Sequence, residues 1–369
     1  MDPLTQGLLG AVAAQAVLCG DRSLPRAERR TPVTLAGLAG GLLPDADVAL
    51  QPLADPALPW ELHRHFTHGI VMAPVMGALA ALALLLLRPR WRPRWRLVLG
   101  AAVLGALTHA PLDLCTSYGT KILWPFSLAD LTLDLFPIVD PLFTLVLLVG
   151  VVWAWRRGGR SLRPVGAFLV LYVAFALVQQ HGAREAQADL AHARGDVPSR
   201  ARVMPLPGSL MLWRSVMEVD DTLVADVVRP VPFGEARGVP GSRRARLDVE
   251  TWAEQGRPAD RARLLDVGRR FAVFADGYVT AGNAAGVLVD ARFALGAGFE
   301  ALWGLQVHRD EGPAVTWWTE GAAWDAERAG TLLAWIAGRH EDLRSMQAVA
   351  ADGVANAPLP AKGNARASR

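Results

Sequence analysis

Residues His63–Leu87 read HRHFTHGIVMAPVMGALAALALLLL. Three of the chain's eight histidines stand at the start of this stretch, and no charged residue follows between Gly69 and Leu87. A bilayer core takes about 20 mostly apolar residues as a helix, with about 17 as the lower limit. The run over 69–87 meets that length. The stretch therefore predicts a membrane-spanning helix with histidines crowded at one mouth.

Working outward, further apolar runs over 97–113, 138–155 and 164–180 predict three more spans. They are shorter and interrupted by polar residues or proline. Segments 4–19 and 31–44 are rich in Gly, Ala and Leu, and read as short spans or re-entrant pieces, since small residues suit close helix packing in lipid. A buried soluble bundle is the alternative; it is disfavoured because so many apolar runs occur together. The chain has 369 residues, enough for about two domains. Its apolar share is 52% and its mean hydropathy +0.23, both high for a soluble protein. Cys19 and Cys115 fall in or beside apolar segments, so no disulfide framework is implied. The N-terminus MDPLTQGLLGAVAAQAVLCG lacks a basic leader region and reads as part of the mature protein.

A pI near 9.2 could suggest a nucleic-acid binder, but the distribution of charge argues against one. Residues 1–180 carry 15 Lys+Arg, and 13 of them lie in three loops: Arg22 to Arg30, Arg88 to Arg96, and Arg156 to Arg163. With six crossings these loops share one face, which the positive-inside rule makes cytoplasmic. Nine of the 11 acids of this half, Asp55 among them, and all four of its histidines then fall at the opposite face. Beyond residue 180 the character changes. MLWRSVMEV, TLVADVV, GVLVDARFAL, ALWGLQVH and AVTWWTE predict short strands, while PADRARLLDVGRRF and WDAERAGTLLAWIAGRHEDLRSM predict helices. The expected fold class is an α-helical polytopic membrane domain over 1–180 followed by a soluble α+β domain over 181–350. A disordered tail is expected over 351–369.

Candidate chemistry gathers at the acid-rich face. In GGLLPDADV, Pro44 ends a helical pattern, and Asp45 and Asp47 in the following turn can converge on one cation. In HRHFTHG, Thr67 is placed to cap the next helix. His65 and His68 would share a face if the stretch were helical, whereas His63 and His68 would converge from a loop. In LTHAPLDLC, His109 and Asp113 stand at i, i+4 on one helix face, near a span end where ionisable groups are costly unless paired or functional. Asp134 and Asp140 in LDLFPIVDPLF are further candidates, with Asp140 favoured as a helix N-terminal charge. His181, His192, His308 and His340 lack such neighbours and read as ordinary histidines. No P-loop, G-x-G-x-x-G, H-E-x-x-H or G-x-S-x-G motif is present.

The order of MDPLTQGLLGA, GLLPDADV, HRHFTHG, THAPLDLCTSYGTKILWPFS and DPLFTL resembles the bacterial inner-membrane, YdjM-like, metal-dependent hydrolases over about residues 1–145. The resemblance implies a metal shell of Asp45, Asp47, His63, His68, His109 and Asp113. The family pattern usually has histidine where this chain has Gln6, and a hydroxyl residue where it has Gly69. An amide is a weak ligand beside imidazole or carboxylate, so Gln6 is not expected to be needed for metal.

A mixed His/Asp shell suits a divalent metal, zinc first, with manganese or iron as alternatives. Such an ion makes hydroxide available near neutral pH, with a spare carboxylate, Asp113 or Asp47, as the catalytic proton acceptor. The expected function is a metal-dependent hydrolase in the bacterial inner membrane, its C-terminal domain on the periplasmic side. The site's position at the lipid boundary suggests a phosphoester or ester of lipid or envelope origin. The expected partners are the lipid bilayer and an unidentified small-molecule or lipid substrate, with no nucleic acid. The alternatives are an ion or small-solute transporter using the same cluster, and a noncatalytic scaffold with a structural metal.

Overall fold

A computed structural model describes residues 1–19, 26–50, 61, 63–230, 237–294 and 296–318. Arg22, Asp55, the helix expected over 324–346, His340 and the tail over 351–369 lie outside the described residues. The N-terminal half is helical: α1 (Pro3–Leu18), α2 (Arg26–Leu42), α3 (Ala73–Leu87), α4 (Trp95–Leu114), α5 (Pro141–Arg157) and α6 (Arg163–Arg194). Among the described residues, three helical stretches are long and apolar enough to cross a membrane: Ile70–Leu87, Pro89–Leu114 and Gly159–Arg194. The helices α1, α2 and α5 have 16, 17 and 17 residues, at the short end for a full crossing. Val75, Leu79, Leu82 and Leu86 of α3 and Val170, Leu171, Leu177 and Val178 of α6 face outward. Water would penalise so large an apolar surface, whereas lipid tails accept it.

The interior of the bundle is rich in small residues. Ala11, Ala14, Ala36, Ala101 and Ala102 are fully buried. At the crossing of α1, α2 and α4, a methyl group on Gly105 would come 2.1 Å from the Gly37 carbonyl, and one on Gly10 would come 2.4 Å from the same atom. Both contacts are impossible, so the backbones approach closely only because these positions are glycine. His109 stands one turn beyond Gly105, and this close crossing brings it against the C-terminal end of α2.

Helix ends are set by local chemistry. The Asp2 carboxylate accepts from the Thr5 amide at 3.0 Å and starts α1. Asp140 does the same for α5, accepting from the Phe143 amide at 3.0 Å and from the buried Tyr172 hydroxyl. Asp140 thus caps a helix, as its position before Pro141 suggested. The helix α6 runs without a break through the expected boundary at 180/181 and ends at Gly195, whose φ of 71° suits glycine.

The C-terminal half is built of antiparallel strands. A five-stranded sheet contains β1 (Arg200–Pro205), β2 (Trp213–Val219), β3 (Thr222–Arg229), β4 (Arg237–Val239) and β5 (Arg243–Ala245), with order β1-β2-β3-β4 and β5 also paired to β3. A four-stranded sheet contains β6 (Val279–Ala281), β7 (Val287–Asp290), β8 (Gly304–Val307) and β9 (Val315–Trp318) in sequential order. Two helices, α7 (Val249–Ala253) and α8 (Arg261–Phe274), share with it a core around Trp252, Leu264, Phe271, Leu288 and Leu305.

The two halves are joined by buried surface as well as by α6. Leu112, Phe136 and Tyr172 of the membrane half share one apolar cluster with Trp213 and Val228 of the first sheet. Arg202 of β1 pairs with Asp134 at 2.7 Å, so Asp134 is an interdomain anchor. Gln180 donates to the carbonyls of Leu133 at 2.7 Å and Asp134 at 3.0 Å. An Asp140→Ala variant removes a helix cap and strands the Tyr172 hydroxyl, and is expected to cost about 2 kcal/mol. A thermal melt in detergent should show a lower apparent Tm, with Asp140→Asn falling less; an unchanged Tm would contradict the role given to this cap.

Candidate metal centre

The centre is assembled from three pieces of chain. The first is the 3-10 turn Leu43–Leu50, which follows α2 and carries Asp45 and Asp47. The second is the loop His63–His68, in which Arg64 has a φ of 62° and Phe66–His68 form a single 3-10 turn. The third is the last two turns of α4, with His109 and Asp113. One ligand atom each from Asp45, His68, His109 and Asp113 lies within 4.8 Å of all the others.

The separations within this group are narrow. His68 Nε2 is 3.0 Å from His109 Nε2, 3.2 Å from Asp45 Oδ1 and 3.3 Å from Asp113 Oδ2. His109 Nε2 is 3.3 Å from Asp45 Oδ1 and 3.6 Å from Asp113 Oδ2. A tetrahedron around an ion with metal–ligand distances of about 2.0–2.1 Å has edges of about 3.3 Å. Five of the six separations in the group, 3.0 to 3.6 Å, are of the size that such a shell requires.

Hydrogen bonding behind the two imidazoles fixes what each nitrogen presents. His109 Nδ1 lies 2.7 Å from the Gly41 carbonyl, which can only accept, so Nδ1 carries the proton. The Thr67 hydroxyl donates to Asp47 Oδ2 at 2.8 Å, which leaves its oxygen to accept from His68 Nδ1 at 2.9 Å. In the neutral imidazoles both Nε2 atoms then bear lone pairs, and they face each other. Asp113 is fully buried. Its Oδ1 accepts from Gln6 Nε2 at 2.9 Å and from the amino group of Met1, and lies 3.3 Å from an Arg64 guanidinium nitrogen. Its Oδ2 is buried without a hydrogen-bond partner and is aimed at the two histidines. Four electron-rich atoms converge, and only a cation between them relieves the repulsion.

A proton can serve as that cation when metal is absent. Burial opposes protonation of His68, but the carboxylates of Asp113 and Asp45 outweigh it and raise its pKa above the ordinary histidine value. Burial likewise opposes ionisation of Asp45, yet hydrogen bonds with His109 and His68 hold its carboxyl well below the usual range.

The other sequence candidates sit outside the four. Asp47 accepts from Thr67 and lies 2.9 Å from His63 Nδ1, and its nearest approach to His68 is 3.7 Å, at Nδ1. His63 is partly exposed and edges His68 at a ring separation of 5.5 Å. His65 turns towards Phe66. Thr67 caps no helix: its hydroxyl is committed to Asp47 and His68, and the short turn Ile70–Met72 intervenes before α3. Arg64 and Gln6 reach Asp113 from distant positions with no local motif, so spacing alone carried no sign of their part.

Next to the cluster lies a cavity of about 1610 Å³ between the membrane half and the C-terminal half. Asp45 and His63 line it on one side, and Phe274, Trp303 and Trp317 on the other.

The YdjM inner membrane protein family model matches residues 1–183, so the helical half of the chain is similar to this family. The chain is also 32% identical over 143 residues to the uncharacterized protein YfhP of Bacillus subtilis (strain 168). That similarity covers 38% of this chain and 41% of YfhP, so the chain spans well under half of that relative's length. No solved structure matches.

Ligand and supporting positions should separate in metal analysis of detergent-purified protein. His68→Ala, His109→Ala and Asp113→Asn are expected to lose bound metal. Gln6→Ala should retain full stoichiometry because it removes only a donor to Asp113. Thr67→Val frees the His68 tautomer and should weaken affinity by about 10–100-fold. Full occupancy and affinity in all three ligand variants would dismiss the shared shell.

Proposed function

We propose that this membrane protein is a metal-dependent hydrolase, with a divalent ion, zinc first, held by Asp45, His68, His109 and Asp113. The observation that carries this reading is the convergence of four electron-rich side-chain atoms beside a large cavity. A bound ion would make a water acidic enough to lose its proton near neutral pH and would polarise an acyl or phosphoryl oxygen.

The chain's own residues supply the rest. His109 and His68 are locked into the ligating tautomer by the Gly41 carbonyl and by Thr67. Asp113 acts as a ligand in this reading, because Gln6, Arg64 and the Met1 amino group already engage its other oxygen. His63 is the proton acceptor at the cavity wall, oriented through Nδ1 by Asp47. Asp47 thereby supports two histidines, His63 directly and His68 through Thr67.

The substrate in this reading is an ester or phosphoester with an apolar chain, of lipid or envelope origin. Leu42, Leu43, Val48, Ile138 and Val273 give the cavity an apolar wall, and Lys121 and Arg270 stand at its polar side, paired with Asp130 and Glu61. Val48 and Leu4 are exposed near the same end of the bundle, so an amphiphile can pass from lipid to the cavity along apolar surface. The site faces outward, opposite the arginine loops at 88–96 and 156–163.

One observation favours a second reading. Four protein ligands complete a tetrahedron, and closed shells are typical of structural zinc, whereas catalytic zinc keeps a position open. In that reading the metal ties α2, α4 and the 63–68 loop together and the protein is a scaffold.

Zinc-loaded protein in mixed micelles, assayed on phosphoester and ester amphiphiles, distinguishes the two. Hydrolysis is expected, abolished by chelation, and His63→Gln should slow it by about 10²–10⁴-fold while keeping its metal. Full metal occupancy with no turnover on either class would favour the scaffold. For sidedness, alkaline phosphatase and fluorescent-protein fusions after residues 92, 128 and 200 should report inside, outside and outside. An inside signal at 128 would put the site on the cytoplasmic face.

A further inference from the structure

The metal centre and the C-terminal half are linked by stacked rings and guanidinium groups. Arg64 carries the link on the membrane side. Its φ of 62° is uncommon for a residue with a side chain, so surrounding contacts must hold it there. Its guanidinium donates to Thr116 Oγ1 at 2.9 Å, lies 3.3 Å from Asp113 Oδ1 and sits 4.9 Å from the centre of the Tyr118 ring. Tyr118 is itself stacked on Phe293, with ring centres 4.3 Å apart and planes 6° from parallel. Trp303 completes the cluster, 5.4 Å from Tyr118 and 5.0 Å from Phe293. Behind Phe293 lies Arg292, which is buried, paired with Asp290 at 2.7 Å and 5.0 Å from the Phe293 ring centre.

Phe293 and Trp303 lie beyond residues 1–183, the region that the family model matches. We infer that the C-terminal domain is a positioning part of the metal centre, acting through Phe293, Trp303 and Tyr118 on Arg64 and through Arg64 on Asp113. The physical basis is the geometry of Asp113. Its Oδ2 reaches the histidines only while Oδ1 is held from the other side, and Arg64 is one of the groups holding it. A guanidinium over an aromatic face is restrained in plane and distance. Outer groups that orient metal ligands commonly tune affinity. The inference rests on the metal-centre reading above and is independent of hydrolysis.

Removing Arg64 itself would mix two effects, because its charge also repels the cation for which it positions Asp113. Changes at Phe293 and Tyr118 leave that charge in place. In the full-length protein, Phe293→Leu and Tyr118→Leu should each weaken zinc affinity by about tenfold and alter the visible spectrum of the cobalt-substituted site. Phe293→Tyr and Tyr118→Phe, which keep the rings, should bind and absorb like the wild type. Folded leucine variants with unchanged affinity and spectrum would overturn the inference. A second measurement needs no variant: coupling is reciprocal, so zinc loading of the wild type should slow hydrogen exchange in peptides covering 290–303. Unchanged exchange there would also overturn it. A wild-type protein that binds neither metal would end the metal-centre reading and this inference with it.

Discussion

Two imidazole nitrogens face each other at 3.0 Å, with a carboxylate oxygen from Asp45 and another from Asp113 beside them. This electron-rich meeting is the constraint around which the membrane half is arranged. It is sustainable only if a cation, proton or metal, lies among the four atoms. The close approach of helices at Gly10, Gly37 and Gly105 brings His109 to Gly41. The turn after Pro44 brings Asp45 over the same point, and the 63–68 loop supplies His68. Removing any one piece leaves the others as buried polar groups without compensation, which is costly near lipid.

Support for the centre comes from unequal sources. Asp47 is absent from the four but holds both His63 and Thr67, so one carboxylate organises the cavity wall and the His68 tautomer together. Asp113 has the opposite arrangement: Gln6, Arg64 and the Met1 amino group converge on one of its oxygens, and the other faces the two histidines. The C-terminal half closes the cavity with Phe274, Trp303 and Trp317 and also touches the Arg64–Tyr118 pair. The cavity and the His/Asp cluster thus meet at Asp45, and a molecule seated in the cavity would meet both halves.

Much of this was legible in the sequence, for identifiable reasons. The 69–87 run is long and uninterrupted, and its helix formed as expected. His109 and Asp113 share a face because i, i+4 spacing on a helix requires it. Asp45 and His68 were candidates because each stands beside a second potential ligand, Asp47 and His63, at the acid-rich face. What was not legible was the division of labour between Asp47 and Asp45, two residues apart. It depends on the Thr67 hydroxyl, which looked like a helix cap and turned out to bridge Asp47 and His68. Gln6 and Arg64 were invisible as supports because they act across 107 and about 50 residues of chain respectively. In the C-terminal half, apolar runs such as TLVADVV announced their strands. By contrast β1 contains Arg200, Arg202 and Pro205, and β4 and β5 have only three residues each, too few for any alternation to register. The long α6 crosses the expected domain boundary because its polar second half pairs with the first sheet, through Gln187 to Arg202 and Arg194 to Asp226.

The central claim is that four side chains of two kinds surround one ion. X-ray absorption at the zinc edge of the loaded protein addresses it directly, since imidazole rings give a multiple-scattering signature that carboxylates and water lack. The account expects a low-coordinate nitrogen/oxygen shell at about 2.0–2.1 Å with two imidazoles. In the Asp45→Asn variant, loss of one oxygen scatterer with both imidazoles retained would agree with it. A shell containing sulfur, or one with no imidazole scattering, would contradict it.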